Sequence, residues 1–137
     1  MADTNTFKLQ IISPDRIFFD EEVDMVEMRT TEGDIGILKN HIPLTAVTVP
    51  GVLTVHQNGS TRQAAVHDGF LEILKDQVIV LAEACEWPEE IDINRAKEAK
   101  IRAERRLSGE DGKEINVQRA EAALRKALLR IQIAEKH

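Results

Sequence analysis

From Phe7 to Glu83 apolar positions come in short runs separated by turn residues, at intervals of about ten residues, the pattern of an all-β sandwich or barrel. Phe7, Leu9 and Ile11 alternate with Lys8 and Gln10, which predicts a half-buried first strand ended by Pro14-Asp15. Further strands are predicted around Ile17 to Phe19, Val23 to Arg29, Gly36 to Leu38, Ala46 to Val49, Val52 to Gln57, Thr61 to Val66, Phe70 to Leu74 and Val78 to Glu83. Asn58 and Gly59 both accept positive φ, so they predict a tight hairpin between Val52–Gln57 and Ser60–Val66. Asp68-Gly69 and Lys75-Asp76 mark further turns.

After Pro88 the apolar period changes from two to about 3.6 residues. Ala96, Ala99, Ala103 and Leu107 share one helical face; Val117, Ala120, Leu124, Ala127, Ile131 and Ala134 share another. Ser108 to Lys113, with two glycines, suits a short connection, so an antiparallel hairpin is expected. Both helices open on the same phrase, Glu90-Ile91-Asp92-Ile93-Asn94-Arg95-Ala96 and Glu114-Ile115-Asn116-Val117-Gln118-Arg119-Ala120. Asp92 and Asn116 are placed to cap the free N–H groups of each first turn, with Ile91 and Ile115 just outside as staples. The predicted fold is α+β: an N-terminal antiparallel β-sandwich over residues 1–87, then a C-terminal two-helix antiparallel hairpin over 88–137. Helices this short are marginal alone in water, so their surroundings decide where the hairpin lies.

Charge divides the chain at the same place. Residues 1–86 hold 14 acidic and 6 basic side chains, whereas the remaining 51 hold 10 acidic and 12 basic. A net charge of −6 excludes general nucleic-acid binding, which requires a basic surface. A single cysteine, Cys85, excludes an internal disulfide, and no Cys/His spacing of a metal site is present. Met1 to Thr6 lack the apolar core of a signal peptide, and no apolar run spans a bilayer; a soluble chain with no direct membrane insertion is expected.

Few residues suggest catalysis. His41, His56 and His67 sit beside no nucleophile in a hydrolase motif and are assigned turn or surface roles. His67 and Asp68, the one carboxylate and imidazole in sequence contact, point to opposite faces of a strand and cannot form an acid–base pair. Asp20, Glu21, Glu22 and Asp24 read as solvated charge on an edge strand. Gly33-Asp34-Ile35-Gly36 lacks the third glycine of a dinucleotide fingerprint, and its glycines are assigned to a tight turn. Cys85 and Trp87 are assigned to filling the seam between the two parts. Arg95 and Arg102 share a face of the first helix, as Lys126 and Arg130 do of the second. Two readings stand for these cations: a grip on a triphosphate, with Asp92 and Glu86 meeting ribose or base, or a solvated face neutralised by Glu98, Glu104 and Glu121.

Glu32-Gly33-Asp34-Ile35-Gly36-Ile37-Leu38-Lys39-Asn40-His41-Ile42-Pro43-Leu44 resembles the signature loop of the F-type ATP synthase epsilon subunits. Asp68 to Ile73, Val78 to Glu83, and Ile91-Asp92 through Arg95-Ala96 to Leu107 resemble that family in order and spacing, so the likeness covers essentially the whole chain. The resemblance implies a non-catalytic, bacterial central-stalk subunit of a proton- or sodium-translocating synthase, peripheral on the cytoplasmic face of the cell membrane. It implies that the sandwich binds the gamma subunit and the membrane rotor ring of c subunits, the ring through Glu32, Gly33 and Asp34. It implies a movable hairpin that inhibits ATP hydrolysis by meeting the alpha and beta subunits, through Arg105, Arg106, Arg119 and Arg125, with Lys126 and Arg130 beside them.

Some members bind ATP in the folded hairpin through Ile/Leu-Asp-x-x-Arg-Ala, and Ile91-Asp92-Ile93-Asn94-Arg95-Ala96 matches every fixed position. The implied ATP-binding set is Glu86, Asp92, Arg95, Arg102, Lys126 and Arg130; Lys126 stands where ATP-binding members carry Arg, exchanging a planar fork for a point charge. The resemblance implies that no cofactor is required and that ATP serves as a regulatory ligand. The alternative is a free-standing sandwich-and-hairpin adaptor unrelated to the synthase.

Overall fold

A computed structural model describes residues 5–110, 112 and 116–136. The chain divides into two compact units, Met1–Glu86 and Trp87–His137.

The first unit is built from β1 (Phe7–Ser13), β2 (Arg16–Val23), β3 (Met25–Thr30), β4 (Gly33–Ile37), β5 (Leu44–Thr48), β6 (Gly51–Gln57), β7 (Ser60–Val66), β8 (Gly69–Ile73), β9 (Gln77–Ala82) and β10 (Cys85–Glu86). They pair in the order β10-β7-β6-β3-β5-β8-β9-β1-β2, with β4 on β3. β3 and β5 meet at one pair only, Thr30 with Thr48, which joins the two layers of the sandwich. Alternation sets the core. Phe7, Leu9 and Ile11 of β1 and Val26 and Met28 of β3 are buried, together with Ile37, Leu53, Val55, Leu71 and Val80. Each such side chain contributes about 1.5–3 kcal/mol on burial.

The Asn58-Gly59 hairpin forms as expected, with both residues at positive φ and Gln57 opposite Ser60. The sheet is not wholly antiparallel: β1 runs parallel to β9, Leu9 opposite Val78 and Ile11 opposite Val80. These strands are remote in sequence, so no short turn imposes the antiparallel direction. Three sequence assignments change. β2 runs through the acidic residues to Val23 instead of stopping at Phe19. Of the two glycines assigned to a tight turn only Gly33, at φ +113, reverses the chain; Gly36 lies within β4, where a Cβ would press on Met25 Cε. The third is His67, which is fully buried rather than on the surface, while Asp68 is exposed.

In the second unit a 3₁₀ turn, Pro88–Glu90, precedes α1 (Ile93–Ser108) and α2 (Val117–Lys136). Trp87, half-buried at the start of this unit, donates its backbone N–H to Glu90 Oε1 at 2.8 Å. The two caps are made: Asp92 Oδ1 accepts from Arg95 N–H and Asn116 Oδ1 from Arg119 N–H, both at 3.1 Å. α1 ends at Gly109 in the left-handed region, where Gly109 N–H donates to Arg106 O and Glu110 N–H to Arg105 O, the two bonds of a Schellman motif. Asp111, Lys113 and the Ile115 staple lie outside the described residues. On α1 the predicted face is the buried one, led by Ala96 and Ala103. On α2 the predicted face is buried at Ala120 and Ala127, but Leu129 and Ile133, on the opposite side of the helix, are buried as well, and Val117 at the end of the predicted stripe is exposed.

Candidate functional site

No group of three or more His, Cys, Asp or Glu able to hold a metal ion occurs among the described residues, and no described helix is long and apolar enough to cross a membrane. The candidate residues fall on surfaces of the two units.

The first is the turn between β3 and β4. Gly33, at φ +113, lets the chain reverse, and Thr30 Oγ1 secures it by donating to Gly33 O at 2.8 Å and accepting from Glu32 N–H at 3.1 Å. Arg29 Nε meets Asp34 Oδ1 at 3.0 Å, an exposed pair that contributes little to stability. Glu32, Gly33 and Asp34 thus stand at the surface beside a cleft of about 500 Å³ whose other wall is Leu44 to Val47.

A second surface was hidden from the sequence pattern. Val47 on β5 is opposite Phe70 on β8, Phe70 opposite Leu81 on β9, Leu81 opposite Ile12 on β1, and Ile12 opposite Ile17 on β2. One apolar row therefore crosses five adjacent strands on the outer face. Val47, Phe70, Leu81 and Ile17 are 46%, 54%, 43% and 62% exposed, and Ile12 is half-buried. The signal was present in β8 and β9, where apolar residues occupy successive positions and alternation fails.

The acidic run behaves as edge charge. Asp20 is held by Lys8 Nζ at 3.0 Å and Gln10 Nε2 at 3.3 Å, and these neighbours keep its carboxyl below the usual range. Glu21 accepts from Gln57 Nε2, and Asp24 accepts from Asn58 N–H. Cys85 is buried, and burial pushes its thiol up to about 12.

In the hairpin, Lys97 Nζ near the start of α1 lies 3.8 Å from Glu135 Oε1 near the end of α2, so the helices run antiparallel with these two residues side by side. Five residues along α1 from Lys97 is Arg102, and five back along α2 from Glu135 is Arg130, so these two cations are level. Arg95 sits toward the open end, and Asp92 there already holds one oxygen on Arg95 N–H. Arg105 and Arg106 lie in the last turn of α1, and Arg119 at the start of α2; with Arg125 they are exposed and occupy the loop half of the hairpin. Glu86 belongs to β10 of the other unit, where it pairs with Ala65.

Residues 6–88 match the ATP synthase delta/epsilon chain β-sandwich domain, and residues 89–135 the long α-helix domain of the same chain. The chain belongs to the ATP synthase delta/epsilon family. An ATP synthase epsilon chain of Caldanaerobacter subterraneus is 44% identical over 96% of this chain and 96% of its own length. One of Desulforamulus reducens is 44% identical over 95% and 98%. The fold also matches a chain in the mitochondrial ATP synthase of Euglena gracilis, at TM-score 0.80 and 24% identity, covering 100% of this chain and 85% of that one. As an epsilon chain it is a non-catalytic subunit of the synthase central stalk, which removes the adaptor alternative.

Proposed function

We propose that this epsilon chain couples the gamma subunit to the membrane rotor ring through its sandwich, and restrains ATP hydrolysis through its hairpin. The observation that carries the reading is the apolar row from Val47 through Phe70, Leu81 and Ile12 to Ile17. An outward apolar strip across five strands is costly in water and fits a protein partner, here the gamma subunit. The exposed Glu32-Gly33-Asp34 turn with its adjoining cleft is the part assigned to the c subunits. Such a subunit works peripherally at the cytoplasmic face of the bacterial membrane, whichever ion the ring carries.

Arg105, Arg106, Arg119 and Arg125, gathered at one end of the hairpin, give it a cationic tip suited to acidic surfaces of the alpha and beta subunits. ATP is the regulatory ligand, held by Asp92, Arg95, Arg102, Lys126 and Arg130 with Glu86 completing the set. The level placement of Arg102 and Arg130 supports that assignment, since two cations at one height suit a polyphosphate. A ligand that binds only the folded hairpin stabilises it by about 2.7 kcal/mol at a hundredfold excess over Kd.

Three measurements test this. Phe70→Asp is expected to abolish co-purification with the gamma subunit. Removing residues 88–137 is expected to raise ATP hydrolysis by the reassembled F1 complex. Calorimetric titration of millimolar ATP is expected to give heat that Arg95→Ala removes. Unchanged gamma binding, unchanged hydrolysis, or an absence of heat with the unmutated chain would each overturn the corresponding part.

A further inference from the structure

His67 and Thr48 are the described residues whose buried side chains keep a polar atom without a partner. His67 is the more consequential. It follows β7, its backbone N–H donates to Ala84 O at 3.0 Å, and its ring is wholly shielded from water. Its Nε2 lies 3.0 Å from Glu86 Oε1, while Nδ1 has no partner. A carboxylate only accepts, so Nε2 carries the proton in this bond. Burying an imidazole with one nitrogen unsatisfied opposes folding. The gain is a fixed carboxylate: Glu86 sits on the two-residue strand β10, beside Val66 and Ala65, and a flexible side chain there is pinned to a rigid ring.

We propose that His67 is a positioning residue that holds the Glu86 carboxylate oriented to accept a hydrogen bond from a hydroxyl or amine group of the nucleotide. The inference rests on the nucleotide reading above. A glutamate whose rotamers are already frozen loses less entropy on meeting a ligand, so affinity rises with no new contact to that ligand.

The test is calorimetric titration of ATP into the full chain. His67→Leu is expected to weaken binding by up to about tenfold, the entropy of immobilising one flexible side chain that the unmutated chain has already paid. His67→Gln, which keeps an amide donor near the same reach, is expected to restore it, while His67→Asn, too short, behaves like the leucine variant and replaces it if that variant does not fold. In a Glu86→Ala background none of these substitutions is expected to matter further. An equal loss in the Glu86→Ala background would reduce His67 to general packing and overturn the proposal, as would unaltered affinity in both His67→Leu and His67→Asn. No binding by the unmutated chain would sink the nucleotide reading and this inference together, and so is distinguishable from either.

Discussion

Gly69 on β8 stands opposite Ala82 on β9 with no room for a side chain: a Cβ there would overlap the carbonyl oxygen of Leu81 and come within 2.7 Å of Ala82 Cα. The obstruction is backbone, which cannot swing aside as a side chain can. Gly69→Ala is therefore expected to cost more than about 3 kcal/mol, beyond ordinary overpacking, and to show as a large drop in the denaturant midpoint.

The repeated caps give a paired prediction. Asp92→Ala and Asn116→Ala each remove one side-chain acceptor from a first-turn N–H, and each is expected to cost its helix about 1 kcal/mol. Amide exchange without nucleotide should accelerate in α1 for the first and in α2 for the second. Asp92→Asn, which keeps an acceptor, should leave exchange nearly unchanged.

Cys85 is expected to resist thiol reagents. With its thiol pushed up to about 12, roughly one molecule in ten thousand carries a thiolate at pH 8. Labelling should be complete in guanidinium and negligible without it. Since the folded value lies above the ordinary 9.0, the stability linked to this group is intact below that pH and is lost as pH climbs toward 12; Cys85→Ala should flatten the alkaline limb.

At the acid end the sign reverses. Asp20 is held below its ordinary 3.8 by Lys8 and then Gln10, so its contribution is present above that value and disappears as pH falls through the lower folded one. Lys8→Met should reduce the stability lost on acidification, a small effect because the pair is exposed.

Much of this was legible in the sequence. The strands from β1 to β9 announce themselves by alternation or by turn residues, and the Asn58-Gly59 hairpin and both helix caps follow from local backbone chemistry alone. Properties that depend on remote strands were not legible. β10 is two residues long and exists only because β7 offers it an edge, so no strand is predicted at Cys85 and Glu86. His67 looks like a turn residue until Glu86 is brought beside it. The row from Val47 to Ile17 needs the register of five strands before its members become neighbours. Of the hairpin cations, helical spacing foretold which share a helix face, but not that Arg102 and Arg130 are level, which the Lys97–Glu135 pair shows.

The parallel pairing of β1 with β9 has a consequence for biosynthesis. Leu9 meets Val78 and Ile11 meets Val80, so during synthesis β1 waits for β9, the last strand of its layer to be made. Until then β1 and β2 form a two-stranded ribbon with both edges open, too small to be stable and ready to pair with a neighbouring nascent chain. Closure of this layer is a late, non-local event, which places the vulnerable interval of folding before residue 82 emerges and makes slow translation beyond β8 a hazard rather than a help.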